Sequence, residues 1–300
     1  MVTRIASFSH TNQLIQTNLR IQSNYAEAQL QVSTGLKSHT YQGIADDANQ
    51  LLNLETDYNQ LTTQTENAQI AFDRTETMFD LLGGVIDVAQ GFLSDLGAAL
   101  NGLSVTADQI QQSAEATLEQ VAGILNSSVG DRYVFSGSAT ETPPIDLTSY
   151  GGALPPSAVD TSYYQGNNDV SSVEISNGFN VSYGQTADDP SIELILRALD
   201  LVITSPNDQN ALTEAIGLLE RGIDDVATLK ASVAQDSGAI DQAIDRGLEE
   251  LNLIDSVITD LKEVDLAEAS TRVKELETQL EAAYSVTTGL LNLTIIDFIR

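Results

Sequence analysis

The sequence predicts a mainly α protein: a long antiparallel coiled-coil rod built from N- and C-terminal segments, with a small β-rich inserted domain. Two heptad-patterned stretches and one interruption devoid of basic residues predict it. The first stretch is Leu51–Leu103. Stepping alternately three and four residues from Leu51 passes Leu54, Tyr58, Leu61, Thr65, Ala68, Phe72, Thr75, Phe79, Leu82, Ile86, Ala89, Leu93, Leu96, Leu100 and Leu103. Fourteen of these sixteen positions are apolar, where a composition of 42% hydrophobic residues would give roughly seven. A strict seven-residue repeat keeps one stripe facing a partner. A helix of this length runs to roughly 80 Å at about 1.5 Å per residue, so the rest of the chain must supply the surface that covers it.

The second stretch answers the first. From Leu212 the seam continues through Ile216, Leu219, Ile223, Val226, Lys230, Val233, Ser237, Ile240, Ile244, Gly247, Leu251, Ile254, Ile258 and Leu261, twelve of fifteen apolar. Lys230, Ser237 and Gly247 are its three exceptions.

Taken in order, the chain opens with a lead in which Ser7 or Ser9 is the expected N-cap of a helix reaching about Thr34. Its stripe, Leu14, Ile21, Tyr25, Ala28 and Val32, is thin and carries Asn18 on the seam. Gly35 is a natural left-handed stop. Leu36–Ala45 reads as a loop, after which Asp46 or Asp47 is placed to cap the long helix. The glycines of that helix, Gly83, Gly84, Gly91, Gly97 and Gly102, all fall off its seam, where a missing side chain permits close approach of another helix. Thr106 with Gln109 forms a capping-box pattern for a third helix carrying Ile110, Ala114, Leu118, Val121 and Leu125 and ending before Gly130.

From Tyr133 to Glu193 there is no Lys or Arg, and five of the six prolines lie there. Val170–Ser176 and Phe179–Tyr183 flank Asn177-Gly178, the pair favoured in a type I′ hairpin turn. Tyr133, Phe135 and Tyr183 are the expected core of this insert. Helix resumes after Pro190 with Ile192, Ile195 and Leu199 and halts near Pro206. Beyond Leu261 the heptad phase slips. Asp265, with Glu268 three residues on, caps a last helix whose stripe is Val273, Leu276, Leu280, Ala283, Leu290 and Leu293.

The predicted organisation is therefore nested: terminal assembly helices at 1–40 and 266–300, a central helical rod at 41–132 and 190–265, and a β-rich insert at 133–189. The outer helices have the weakest seams, so they are expected to complete an apolar face only against other copies. Leu14, Ile21, Tyr25, Val273, Leu276, Leu280, Leu290 and Leu293 are the expected assembly interface.

Charge narrows the partners. Forty-three acids against thirteen bases leave a net charge of −30, which disfavours nucleic acid and anionic membrane surfaces. No cysteine is present, so disulfides and thiolate metal sites are excluded. The first residues lack the apolar core of a signal peptide, and no uninterrupted apolar run reaches transmembrane length. The expectation is a cytoplasmic protein, or one that leaves the cell by a route that reads no ordinary signal peptide, without membrane insertion.

No catalytic, cofactor or metal residues are expected. His10 and His39 sit in no H-E-x-x-H pattern, and Ser136-Gly137-Ser138 is turn composition with no histidine near it. Asp46-Asp47 and Asp188-Asp189 lack EF-hand spacing and read as helix caps or solvated loop. No phosphate-binding loop motif occurs. Periodicity by itself leaves a secreted coiled-coil adhesin or effector with a β binding module as an alternative.

The outer segments resemble the flagellin family. LQVSTGLKSHTYQGIADDA at Leu30–Ala48 is similar to the family's helix end, turn and acidic helix start. Asp265–Ala269 and the closing LLNLTIIDFIR are similar to its C-terminus. Within that family, GDRYVFSGSATETPPI at Gly130–Ile145 and YQGNNDVSSVEISNGFNVSY at Tyr164–Tyr183 resemble the hook–filament junction proteins. The resemblance implies a non-catalytic structural subunit of the bacterial flagellum, exported through the flagellar type III apparatus with the help of an export chaperone and located outside the cell. It implies self-association in a ring that couples the hook to the filament, with another hook-associated protein on one side and flagellin on the other. A flagellin of the filament itself is the alternative within the family.

Overall fold

The computed structural model describes residues 2–45, 47–100, 106–176 and 178–299; for residues 2–11, 149, 176 and 290–299 it describes the backbone. The chain is mainly helical. Among the described residues six α-helices follow in order: α1 Val2–Thr34, α2 Ala48–Leu100, α3 Ala107–Leu125, α4 Pro190–Thr204, α5 Gln209–Lys262 and α6 Leu266–Ile299. Two small antiparallel ribbons lie between α3 and α4: β1 Ser128–Val129 with β2 Arg132–Tyr133, and β3 Ser172–Ser176 with β4 Phe179–Ser182. The helices group into two compact units, Met1–Asn59 with Glu250–Arg300, and Gln60–Glu249. Both α2 and α5 contribute turns to each unit.

In the larger unit α2 and α5 meet as the two heptad patterns require. Gly247 faces Thr65; Ile240 and Ile244 pack with Ala68 and Ala71; Ser237 meets Glu76; Lys230 lies over Phe79. Residue numbers fall along α5 as they rise along α2, so the pair is antiparallel. The three exceptions in the α5 seam each have a local partner. The Lys230 ammonium sits 4.1 Å from the Phe79 ring centroid, a cation–π contact. It also occupies the space beside Gly83, where an added Cβ would stand 2.7 Å from its Nζ.

The buried stripe of α2 differs from the expected one in phase. Ala68, Ala71, Thr75, Met78, Leu82, Val85, Ala89, Phe92 and Leu96 are buried, whereas Phe72, Phe79, Ile86 and Leu93 lie half-buried on the flank. A two-helix seam is narrow, but α2 is covered by more than α5: Ile124 of α3 lies 3.6 Å from where a Cβ on Gly84 would be. The additional cover widens and recentres the apolar face. The buried Thr75 hydroxyl is satisfied by donating to Ala71 O at 2.7 Å. By length and composition α2 is also apolar enough to cross a membrane. Leu82, Val85, Phe92 and Leu96 of this helix are buried inside the fold.

The helix ends follow local chemistry, with one shift. α1 begins at Val2, so Ser7 and Ser9 lie within the helix rather than before it; serine costs a helix interior only about 0.5 kcal/mol, too little to set a boundary. Gly35 ends α1 with φ +76°. The Thr106–Gln109 capping box is fully formed. Asp265 accepts from the amides of Ala267 and Glu268 at 2.8 and 3.2 Å and starts α6. Leu103 and Gly102, expected near the end of the long helix, lie outside the described residues, as do Asp46 and the turn residue Asn177.

The surprise is α4. Twelve consecutive residues, Ser191–Val202, are buried, including Glu193, Arg197 and Asp200. Pro190 occupies the first turn and Asp189 caps it, accepting from Ser191 N at 2.9 Å. The helix is enclosed by α3, α5 and the inserted segments, and α5 comes so close that a Cβ on Gly222 would stand 2.7 Å from Ile195. Any larger residue at 222 would push the two helices apart.

The insert is held to this centre by Phe135, Ile145 and Tyr163, all buried. Phe135 was expected there. Tyr133 and Tyr183 are only half-buried, and Tyr163 takes the central place, donating to Ala187 O at 3.1 Å and meeting Tyr150 edge-on with centroids 5.1 Å apart. The β3–β4 hairpin forms around Gly178, whose φ is +76°. The first ribbon, unexpected from sequence, turns through Gly130 and Asp131, both at positive φ. Arg74 of α2 ties the insert down by donating to Tyr133 O at 2.8 Å.

Candidate assembly surface

In the smaller unit, α1 and α6 pack against each other. Small residues allow this: Ala28 of α1 and Ala269 of α6 are both 2% exposed, and Leu276 is buried nearby. Polar residues complete the seam. Asn18 Nδ2 donates to Thr287 Oγ1 at 2.9 Å, and the Gln22 amide donates to the Tyr284 hydroxyl. Asn18, the polar interruption in the α1 stripe, thus has its partner on α6.

The sequence-derived interface residues fall along this pair. Leu14, Ile21 and Tyr25 are half-buried on α1, as are Val273 and Leu280 on α6, and Leu276 is buried. The side chains of Leu290 and Leu293 lie outside the described residues.

Sequence reasoning passed over a second stripe. Ile15, Leu19 and Leu30 of α1 are 46–59% exposed, and Ala26 continues their line at helical spacing. On α6, Tyr284 and Val286 are 44% and 54% exposed, and Leu266 is also open. An open groove of about 590 Å³ runs along the pair, lined by Ala26, Gln29, Leu30, Val32, Ser33 and Val273. The signal was present as Ile15, Leu19, Ala26 and Leu30, but Gln22 interrupts it and the stronger heptad draws the eye. Scattered exposed apolar residues are ordinary; a file of them beside a half-filled seam is a surface suited to another helix.

The base of the pair is built from the α1–α2 turn and the α5–α6 break. Lys37 N donates to Lys262 O at 2.7 Å and Val264 N to Gly35 O at 2.8 Å, forming an antiparallel bridge between Leu36 and Glu263. Lys262 pairs with Glu55, which also accepts from the Tyr41 hydroxyl at 2.9 Å. The hydrogen bond from Lys262 holds the Glu55 carboxyl below its usual range, and the bond to Glu55 moves Tyr41 upward.

A different arrangement of charge covers α4. Loop 151–160 is strapped across the helix by three carboxylates. Asp200 accepts from Gly152 N and Ala153 N at 3.3 and 2.7 Å; Glu214 accepts from Ser157 N and Oγ at 2.8 and 2.6 Å; Glu193 accepts from Asp160 N at 3.1 Å. Burial raises the Glu193 carboxyl, opposed by the Asp160 amide and by Arg197, whose Nε stands 3.4 Å away. These are holding interactions. Among the described residues no group of three or more His, Cys, Asp or Glu is placed to hold a metal ion. Asp189 serves as a helix cap.

Comparison with known proteins bears on the same elements. Residues 216–299, which contain most of α5 and all of α6, match the family model of the bacterial flagellin C-terminal helical region. The fold resembles that of a protein described as a flagellar hook-associated protein from Vibrio parahaemolyticus, with a TM-score of 0.58 and 17% identity, over 71% of this chain and 96% of that one. It also resembles Bacillus cereus FlgL, with a TM-score of 0.55 and 15% identity, over 70% of this chain and 99% of that one. No curated protein sequence matches the chain.

Proposed function

We propose that the protein is a structural subunit of the bacterial flagellum that forms the junction between hook and filament. The observation that carries this reading is the α1·α6 pair: its seam is only half filled within the subunit, it leaves Leu19 and Val286 exposed, and α6 lies in the part of the chain that matches a flagellin helical region. The work is mechanical coupling and requires no catalysis. Copies associate in a ring through Leu14, Ile21, Tyr25, Val273, Leu276, Leu280, Leu290 and Leu293 together with the exposed stripe. One side of the ring meets another hook-associated protein, and the other presents a surface on which flagellin assembles. Export through the flagellar type III apparatus with a chaperone, to a position outside the cell, belongs to the same reading.

The match at 216–299 is to a flagellin region as such, so a flagellin of the filament is the second reading. Electron microscopy of a deletion strain separates the two. Loss of a junction subunit leaves hooks while flagellin is shed into the medium; loss of one flagellin leaves shortened or thinned filaments. Leu19→Asp and Val286→Asp test the surface. Both variants should keep the parent's melting temperature, because the leucine and valine are already largely exposed, and both should be exported yet fail to support filament growth. Filament growth at the parental level in both variants would remove the exposed stripe from the assembly surface.

A further inference from the structure

The α1–α2 turn and the α5–α6 break are two interruptions of helix, far apart in sequence, hydrogen-bonded to each other. α5 ends at Lys262 and α6 begins at Leu266; α1 ends at Thr34 and α2 begins at Ala48. A helix break ordinarily bends independently of its neighbours, since only its own few residues absorb the change in φ and ψ. Here the Lys37–Lys262 and Val264–Gly35 backbone bonds tie one break to the other. Bending at Glu263–Asp265 therefore carries the Gly35 turn with it. The terminal helices are in turn fastened together by Ala28, Ala269 and the Asn18–Thr287 bond.

We infer that these two breaks form one coupled joint on which the α1·α6 pair swings as a single body relative to the adjoining turns of α2 and α5, and that the Lys262–Glu55–Tyr41 cluster is its latch. The placement supports this assignment. Lys262 is the last residue of α5, Glu55 stands in the second turn of α2, and Tyr41 belongs to the turn between α1 and α2. The cluster thus ties the end of α5 and the start of α2 to the turn through which α1 is attached. A second cation, the Lys37 ammonium, reaches back to Asp260 O near the end of α5, where helix carbonyls lack helical partners. The side chains of Lys262 and Glu55 are 38% and 25% exposed, so solvent and salt compete for the latch. A subunit so built keeps its terminal pair intact while adjusting the direction in which that pair leaves the joint. The inference stands on the joint alone and does not depend on the function proposed above.

The chain contains no cysteine, so paired spin labels can be introduced at exposed positions without background. One doubly labelled chain carries Asn53→Cys and Glu277→Cys, spanning the joint from α2 to α6; another carries Ser23→Cys and Glu277→Cys, within the terminal pair. Double electron–electron resonance should give narrow distance distributions for both. Lys262→Met should at least double the width of the 53–277 distribution and leave 23–277 unchanged. Tyr41→Phe should broaden 53–277 less. Raising NaCl from about 0.05 to about 1 M should broaden 53–277 in the parent and add nothing in Lys262→Met. An unchanged 53–277 width in Lys262→Met would remove the latch. Equal broadening of 23–277 would show the helices separating rather than moving together. Either result overturns the inference.

Discussion

Ser237 on α5 donates its hydroxyl hydrogen to the Glu76 carboxylate on α2 across 2.6 Å, from a position that is 3% exposed. In the heptad of α5 this serine is a fault. In the structure it is a bond to a charged partner between the two longest helices. A shift of α5 along α2 by one heptad would bring Gln69 or Gly83 opposite the serine in place of the charged Glu76, and would also displace Lys230 from Phe79 and Gly247 from Thr65. The three exceptions therefore fix the register of a seam whose apolar residues would tolerate several.

The first prediction follows directly. Ser237→Ala should lower stability by about 1.5–3 kcal/mol, the range for a hydrogen bond to a charged group. The double variant Ser237→Ala with Glu76→Gln should be no less stable than Ser237→Ala by itself, because the bond is already gone. A double-mutant cycle by thermal unfolding measures the coupling, expected at about 1 kcal/mol.

A second prediction concerns the phase of the α2 face. Leu82 is fully buried and Ile70 is 66% exposed. Leu82→Ala should cost about 2–5 kcal/mol, whereas Ile70→Ala should stay within about 0.5 kcal/mol of the parent. Met78→Ala should resemble Leu82→Ala, and Phe79→Ala should fall between the two. Chemical denaturation monitored by circular dichroism gives the order.

The buried Glu193–Arg197 pair makes a prediction with a sign in pH. Burial raises the Glu193 carboxyl above its ordinary value, so its contribution to stability is present at low pH and lost as pH rises through the raised value. Arg197→Met removes the opposing cation and raises it further. The variant should lose about 3–5 kcal/mol at neutral pH, the cost of stranding a buried charge. Part of that loss should return on acidification towards pH 5. Melting temperatures at both pH values for parent and variant decide it: a pH-independent deficit would mean that Arg197 acts through packing.

The strap over α4 is testable by proteolysis. Asp200→Ala frees the amides of Gly152 and Ala153 and should cost about 1.5–3 kcal/mol locally, which corresponds to roughly a tenfold or greater rise in loop opening. Elastase should cut after the exposed Val159 of the same loop correspondingly faster, while circular dichroism of the helices stays near that of the parent. Unchanged cleavage would show that the strap is held by Glu214 and Glu193 without Asp200.

Much of this molecule is determined by the sequence by itself. The heptads of Leu51–Leu103 and Leu212–Leu261 specify two long helices and their mutual pairing, because a seven-residue repeat commits a helix to a partner along its whole length. Gly35, the Thr106–Gln109 box, Asp265 and Gly178 mark boundaries through local backbone chemistry, which needs no knowledge of the fold. The tertiary structure decided the rest. Along α2 the apolar residues come in doublets, Ala71-Phe72, Met78-Phe79, Val85-Ile86 and Phe92-Leu93, and either member satisfies the repeat. Only the arrival of other helices on that flank buried the first of each pair more deeply than the second. The enclosure of α4 had a local trace, apolar residues on every side of PSIELILRALDLVIT, yet its acids are buried because amides of the distant loop 151–160 meet them there, while Arg197 has its carboxylate partner within the helix at Glu193. The surface of the terminal pair is likewise a matter of tertiary contact. Leu14 and Leu19 are both leucines on α1, and what leaves Leu19 open is the position of α6. Periodicity is a property of one helix; which of its faces is covered depends on where the other helices lie.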